Sequence, residues 1–160
     1  MAVRFTAPRR IELADDVSGF HSGKRLLDEW LMNHAFNALN RGTAVTYVSH
    51  DECGSLAGFY SLSANSVNRG DVHGGWLARN TPEQIPVILL GMLAIDERYQ
   101  GQGLGWRLLL DAVERAMAAS SQIGARALIV DPLDDDAASF YKHFGFSRLR
   151  DSTRMFAKLV

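Results

Sequence analysis

The chain has 160 residues, 47% of them hydrophobic and 22% charged, which is the balance of one ordinary globular domain. Its 17 Lys and Arg against 18 Asp and Glu leave a formal net charge of −1, so a grossly basic nucleic-acid coat is excluded while a local basic patch is not. Cys53 is the sole cysteine, which excludes an intramolecular disulfide and a thiolate zinc cluster.

No run approaches the ~20 apolar residues that a bilayer span needs. The amino-terminal stretch has no apolar core ahead of Arg9 and Arg10, so it does not read as a secretory leader. One cytoplasmic domain over residues 1–160 is the expectation. The first strong element covers residues 22–38. Ser22 is placed to cap the first turn, and Leu26, Leu27, Trp30, Leu31, His34 and Ala38 recur at helical spacing. Residues 43–48 are rich in β-branched side chains and read as a strand; 51–54 read as a turn, and 56–63 as the returning strand of a hairpin. Residues 64–86 carry no clear period and read as a short helix and a loop.

Residues 87–95 are a nearly continuous apolar run, the pattern of a central strand covered on both faces. A glycine-rich segment follows. A helix then starts at Leu104, with Leu108, Ala112 and Ala116 on one stripe, joined by Leu109, Val113 and Met117. Arg107, Asp111, Glu114 and Arg115 make its wet face, and Gly124 stands at its end. Residues 127–130 read as a second buried strand. Asp134, Asp135 and Asp136 open a short helix over 137–144, which Gly145 closes; 146–150 and 154–159 read as closing strands. The order of elements is that of a mixed-sheet α/β domain.

The chemistry starts at Gly101-Gln102-Gly103-Leu104-Gly105. A glycine turn between a buried strand and a helix aims backbone N–H groups into one concavity, and the helix dipole adds positive potential there. Such a site suits a pyrophosphate. A dinucleotide fold wants G-x-G-x-x-G near the amino terminus with an acid ~20 residues on, and these glycines lie at mid-chain in a different spacing. A P-loop wants Gly-Lys-Ser/Thr at its end, where this chain has Gly105-Trp106-Arg107. A tight turn with no ligand is the bland alternative.

The remaining pattern, Arg98-x-x-Gly101-x-Gly103, resembles the acyl-CoA pyrophosphate loop of the GNAT acetyltransferases. The resemblance runs from Ile88 to Phe146 and includes Leu104-Gly105-x-x-Leu108-Leu109 and Phe140-Tyr141-x-x-Phe144-Gly145-Phe146. More narrowly, the chain is similar to the GNAT toxins of bacterial toxin–antitoxin modules. Phe20-His21-Ser22-Gly23-x-x-x-Leu27-Asp28-x-Trp30-Leu31, residues 60–64 and residues 90–96 carry that likeness. The chain departs from the toxin pattern at His21-Ser22, at Met92 and at Pro132. The resemblance implies a twisted mixed sheet splayed at its two central strands, with acetyl-CoA as co-substrate in the splay and no metal. Backbone groups of Leu93, Ala94 and Ile95 would pair with the pantetheine arm. Amides of Gly101, Gln102, Gly103, Leu104, Gly105 and Trp106 would hold the pyrophosphate, with Arg98 adding charge. It further implies an aminoacyl-tRNA substrate, a ribbon-helix-helix antitoxin and a homodimer.

Acetyl transfer to an amine needs a neutral amine and benefits from a proton for the departing thiolate. Tyrosine, with a pKa of ~10, is protonated at neutral pH. Phe140 and Phe144 lie one turn apart and are expected to face the core, which puts Tyr141 on another face. The resemblance sets this tyrosine beside the thioester sulfur as general acid. The 87–95 run contains no acidic residue, whereas many GNAT enzymes place a catalytic carboxylate there. A lysine acceptor is only ~0.1% neutral near pH 7.4, while an α-amine of pKa ~7.7–8 is tens of per cent neutral unaided. The missing base therefore favours an α-amine such as that of charged tRNA. Asp96 and Glu97 are expected to be solvated. Arg9, Arg10, Lys24, Arg25 and Lys142 are the candidate RNA contacts. The five histidines show no zinc spacing; His34 reads as helix packing, and Trp30, Trp76 and Trp106 as core or interface. A small-molecule amine or a protein amino terminus as acceptor, and a non-catalytic acyl-CoA sensor, are the alternatives.

Overall fold

The computed structural model describes residues 3–160; Met1 and Ala2, at the head of the stretch weighed above as a leader, lie outside the described residues. In chain order the elements are β1 (Arg9–Arg10), α1 (Arg25–Asn33), α2 (Ala35–Arg41), β2 (Val45–His50), β3 (Leu56–Asn68), β4 (Gln84–Ile95), α3 (Leu104–Ile123), β5 (Ala127–Val130), α4 (Asp135–His143), β6 (Ser147–Arg148) and β7 (Met155–Lys158). The strands follow the order β1-β2-β3-β4-β5-β7-β6 in one sheet. β4 and β5 pair in parallel, while β1–β2, β2–β3, β5–β7 and β6–β7 are antiparallel. This is the expected mixed α/β architecture. Among the described residues no helix is long and apolar enough to cross a membrane.

The chain divides into two compact units. One comprises the residues up to Ser63 with Met92–Ala112, the other Ala64–Gly91 with Val113–Val160. In the first, β2 and β3 form the expected hairpin, with Tyr47 opposite Tyr60 and a register shift at Ser49/His50. Its turn is built by Asp51, whose Oδ1 accepts from the amides of Cys53 and Ser55, both at 2.9 Å. Gly54 adopts φ +86 there, a conformation that suits glycine because it has no Cβ. The core joins Ile11, Phe20, Leu31, Ala35, Val48, Leu56, Phe59 and Ala94, with Leu27, Trp30 and Met92 packed against it. Trp30 stacks on Phe59 at 6.3 Å, as a core tryptophan should.

The helix expected over 22–38 is instead two helices that meet at His34. His34 is exposed at the junction rather than packed. Ser22 is not the N-cap, since Lys24 occupies that position; the Ser22 hydroxyl instead donates to Asp28 Oδ1 at 2.6 Å and accepts from the Lys24 amide at 3.1 Å. Leu26 is also exposed, because Leu31 and its neighbours Leu27 and Trp30 supply the buried face.

The second unit has its own core of Val67, Leu77, Ile85, Val87, Ala127, Ile129 and Leu149. All four residues of β5 are buried. Residues 64–86, expected as a short helix and a loop, instead contribute the far end of β3, a 3-10 turn over Arg69–Asp71 and the start of β4. Arg126 organises the rest of that stretch. Its guanidinium lies 4.2 Å above the Trp76 ring and donates to the carbonyls of Trp76 and Leu77 at 2.7 and 3.1 Å. At the start of α4, Asp134 accepts from the Ala137 amide at 2.8 Å, the cap its sequence position suggested. Gly124 (φ +78) follows the last residue of α3, and Met117 on that helix is exposed rather than on its buried stripe.

Candidate active site

β4 ends at Ile95, and the chain then makes a 3-10 turn over Glu97–Tyr99 before the glycines. Gly101 (φ +80) and Gly103 (φ +81) are both left-handed, and a Cβ at either would meet open space. Glycine is therefore required here by the backbone conformation and not by crowding. Residues 101–103 are exposed. α3 opens directly behind them, its ladder starting with the Arg107 amide on the Gly103 carbonyl at 3.2 Å. The first-turn amides of an α-helix have no intrahelical acceptor and carry the positive end of its dipole. Leu104 is buried, Gly105 half-buried and Trp106 exposed, so Trp106 is not a core residue.

The parallel pairing of β4 covers Ile88 to Leu90. Leu93, Ala94 and Ile95 continue the strand past it. The Met92 amide, at the head of this stretch, donates to the Ser61 hydroxyl at 3.0 Å. Gly58 on β3 lies close to its end. A Cβ there would come within 2.9 Å of Ile95 Cδ1 and Leu108 Cδ1, and within 3.2 Å of the Ala94 carbonyl oxygen.

Asp96 is buried, not solvated as expected, with 2% of its surface exposed. Its Oδ1 accepts from the Arg98 amide at 3.0 Å and from Arg98 Nε at 2.9 Å; its Oδ2 accepts from the His21 amide at 3.0 Å and Arg98 Nη2 at 3.3 Å. Burial works to raise this carboxyl, but the bonds from Arg98 and the two amides outweigh it and hold the group below the ordinary aspartate range. Glu97 is exposed, and its Oε2 lies 3.3 Å from His21 Nδ1. The Tyr99 hydroxyl donates to Asp51, which lowers the Asp51 carboxyl and raises the Tyr99 phenol. The Arg98 guanidinium lies 5.2 Å above the Tyr99 ring. Tyr99 and Asp51 were not singled out by the sequence reading, which expected Asp96 in solvent; the visible signal was an aspartate directly after a strand, the usual cap of a following turn.

Tyr141 is the buried residue of α4. The expected faces are thus reversed, since Phe140 and Phe144 are only half-buried. The reason lies beyond the helix. Gly145 (φ +98) turns the chain back, the Phe146 amide donates to the Tyr141 carbonyl at 3.0 Å, and the Phe146 ring comes to 5.4 Å from that of Tyr141. Burial pushes the Tyr141 hydroxyl well above the ordinary tyrosine range, so it is fully protonated at neutral pH.

The candidate RNA contacts divide. Arg9 is committed to Asp15 through Nη1 and Nη2 at 2.8 and 2.7 Å, and Arg25 Nε to Glu29 at 2.7 Å. Arg10, Lys24 and Lys142 are exposed. Asp111, expected on the wet face of α3, instead accepts from the buried Tyr60 hydroxyl. His143 is exposed with its ring edge-on to Phe144 at 4.8 Å. Among the described residues no group of His, Cys, Asp and Glu side chains gathers where a metal ion would be held.

A glycine cradle between a buried strand and a long helix, in a mixed sheet of this order, is the architecture of an acyl-CoA-dependent transferase. The family model described as "Acetyltransferase (GNAT) domain" matches residues 42–148. The tRNA-acetylating toxin of Mycobacterium tuberculosis (strain ATCC 25618 / H37Rv) is 44% identical over 142 residues, spanning 89% of this chain and 84% of that protein. Among solved structures, AtaT complexed with acetyl-methionyl-tRNAfMet superposes with a TM-score of 0.86 at 26% identity, covering 97% of this chain and 95% of that one. A mutant AtaT toxin bound to the C-terminus of the antitoxin AtaR and acetyl-CoA gives a TM-score of 0.82 at 25% identity, over 97% and 93%. The chain belongs to the GNAT acetyltransferase family.

Proposed function

We propose that this chain moves the acetyl group of acetyl-CoA onto the α-amine of aminoacyl-tRNA and thereby acts as a translation-blocking toxin. One observation carries the choice of acceptor: β4 has no acidic side chain, and the first carboxylate after it, Asp96, is buried under Arg98 and two amides. A carboxylate held below its ordinary pKa is a poor base. Glu97 faces His21 and Asp111 faces Tyr60. The acceptor amine then has to arrive neutral, and an aminoacyl ester does so near pH 7 where a lysine does not. The tRNA-acetylating activity named for the M. tuberculosis relative and the acetyl-methionyl-tRNA bound by AtaT support the same acceptor.

In this reading the amides of residues 101–106 hold the diphosphate, and the backbone of Leu93, Ala94 and Ile95 pairs with the pantetheine arm. The amine nitrogen attacks the thioester carbonyl to give a tetrahedral intermediate. The C–S bond breaks, the sulfur takes a proton from the Tyr141 hydroxyl, the new ammonium loses its proton to water, and the Tyr141 phenolate regains one from water. Arg9, Arg10, Lys24, Arg25 and Lys142 face the RNA phosphates. The AtaR complex supports an antitoxin as physiological partner; we assign it the ribbon-helix-helix class and assign the toxin a homodimeric state in the cytoplasm, with residues 1–160 acting as one catalytic domain. The test is transfer of label from acetyl-CoA to charged and deacylated tRNA. Label on charged tRNA alone is expected. Label on both, or only on a small amine, would overturn the assignment.

A further inference from the structure

We propose that Asp96, Tyr99 and Asp51 are positioning residues for the glycine loop, and that Arg98 completes this brace instead of gripping the diphosphate itself; the inference rests on the acyl-CoA reading of that loop. The guanidinium that the motif would offer to a phosphate is already occupied. Two of its nitrogens reach the two oxygens of Asp96, at 2.9 and 3.3 Å. The Asp96 side chain is 3% exposed and that of Arg98 53%. If Arg98 swung out to a ligand, the buried carboxylate would keep only two backbone amides, and uncovering a buried charge costs more than a surface phosphate contact returns. The arginine is also held from its other side, with its guanidinium above the Tyr99 ring. Tyr99 is pinned through its hydroxyl to Asp51 in the β2–β3 turn and by the edge of Phe5 at 5.3 Å.

Charge and connectivity agree with this role. One guanidinium stands among two carboxylates, Asp96 and Asp51, so the group as a whole offers an anion no attraction. That attraction is left to the loop amides and the α3 dipole. The residues ahead of the glycines are tied to two other pieces of chain, residues 21–22 and the β2–β3 turn at Asp51. Asp96 holds the segment before α1 through the His21 amide. Gln100 Nε2 donates to the Ser22 carbonyl at 2.8 Å and to the Ile95 carbonyl at 2.9 Å. Past Gln100, Gln102 Nε2 donates to the Arg98 carbonyl at 3.4 Å, back onto the same turn, and Gly101 and Gly103 stand in open, left-handed conformations. A fixed base thus carries a short cradle whose amides are aimed by what lies before it.

The test measures CoA binding by calorimetry, with acetyl-transfer kinetics, for Arg98→Gln, Asp96→Asn and the double variant. A brace predicts that each single change weakens CoA roughly tenfold, the worth of one charge-assisted hydrogen bond. It also predicts that the double variant is no worse than either single one. KM for acetyl-CoA should rise by the same factor while kcat and the acceptor KM hold. A direct phosphate ligand predicts instead that Arg98→Gln weakens binding whereas Asp96→Asn, by releasing the arginine, leaves it unchanged or tighter; that result overturns the proposal. Tyr99→Phe keeps the ring and removes only the bond to Asp51, so it decides the matter if Asp96→Asn does not fold: a raised acetyl-CoA KM supports the brace, an unchanged one overturns it. A parent protein that fails to bind CoA at all would overturn the acyl-CoA reading itself, a result distinct from either.

Discussion

Replacing Gly101 or Gly103 by alanine isolates the backbone contribution to the cradle. A Cβ at either position meets no atom within 4 Å, so a steric clash contributes nothing. The whole effect comes from φ values of +80 and +81. Holding an L-residue in the left-handed region costs about 1–2 kcal/mol. The free protein can relieve this by letting the loop leave its geometry, and binding must then restore it. The strain would reappear as lost CoA affinity, about 5- to 30-fold at 1.4 kcal/mol per decade. Gly124→Ala is the control. Gly124 is left-handed too (φ +78), with open space for a Cβ, but it follows the far end of α3, so CoA affinity should hold while thermal stability falls by the same strain. Calorimetric titration with CoA reads all three variants on one scale. Parent-like affinity in both Gly101→Ala and Gly103→Ala would refute the idea that this backbone shape binds the ligand.

Tyr141→Phe keeps the ring contact with Phe146 and leaves no cavity; it should leave CoA affinity intact and cut kcat by about 10²- to 10⁴-fold, the usual range for general acid catalysis, and a loss below fivefold would remove Tyr141 from that role. Gly58→Ala forces a Cβ against Ile95, Leu108 and the Ala94 carbonyl. Overpacking of this kind costs about 1–3 kcal/mol, or roughly 3–10 °C in a melting scan, together with a higher KM for acetyl-CoA, since the end of β4 is what moves. For pH, the Asp96 carboxyl is lower in the folded chain than in the unfolded one, so its contribution is fully present above the unfolded value of ~3.9 and is lost as pH falls through the folded one. Urea midpoints of the parent and Asp96→Asn should therefore differ most above about pH 4 and converge below it; a gap that is the same at pH 7 and pH 3 would contradict the assignment.

The parts legible in the sequence are those whose pattern is local. β5 is four buried apolar residues, and α3 repeats its apolar stripe from Leu104 to Ala116 up to a glycine that ends it. The cradle was legible because left-handed backbone demands glycine, and that demand survives in the bare order of residues. The break at His34 was not, because no Pro or Gly marks it and the apolar period continues in phase from Leu31 to Ala35. The burial of Asp96 was invisible for a different reason. Its partners Arg98 and His21 lie on both sides of the strand, and the one far away in sequence contributes a backbone amide, which leaves no trace in residue identity. The face of Tyr141 was misjudged because helical spacing treats Phe140, Tyr141 and Phe144 alike, while Gly145 and Phe146 outside the helix decide which ring is covered.

Buried aspartate and buried tyrosine together constrain the chemistry more than either does alone. A GNAT enzyme that must acetylate lysine needs a base strong enough to take a proton from a group of pKa ~10.4, and needs it beside the acceptor. In this chain the carboxylate at the end of β4 is stabilised as an anion by Arg98 and two amides, so the interactions that fix the loop also suppress its basicity. Burial has the opposite effect on Tyr141. It keeps the proton on the phenol at neutral pH, and in the proposed reaction this phenol is the donor for the leaving sulfur, a weaker acid than a free tyrosine but one that is never spent in advance. In the proposed reaction, where no base is provided, the rate would follow the fraction of acceptor that arrives unprotonated. Selection among classes of amine is then set by their own acidity, about a hundredfold or more between an α-amine and a lysine near neutral pH, before any pocket reads the rest of the acceptor.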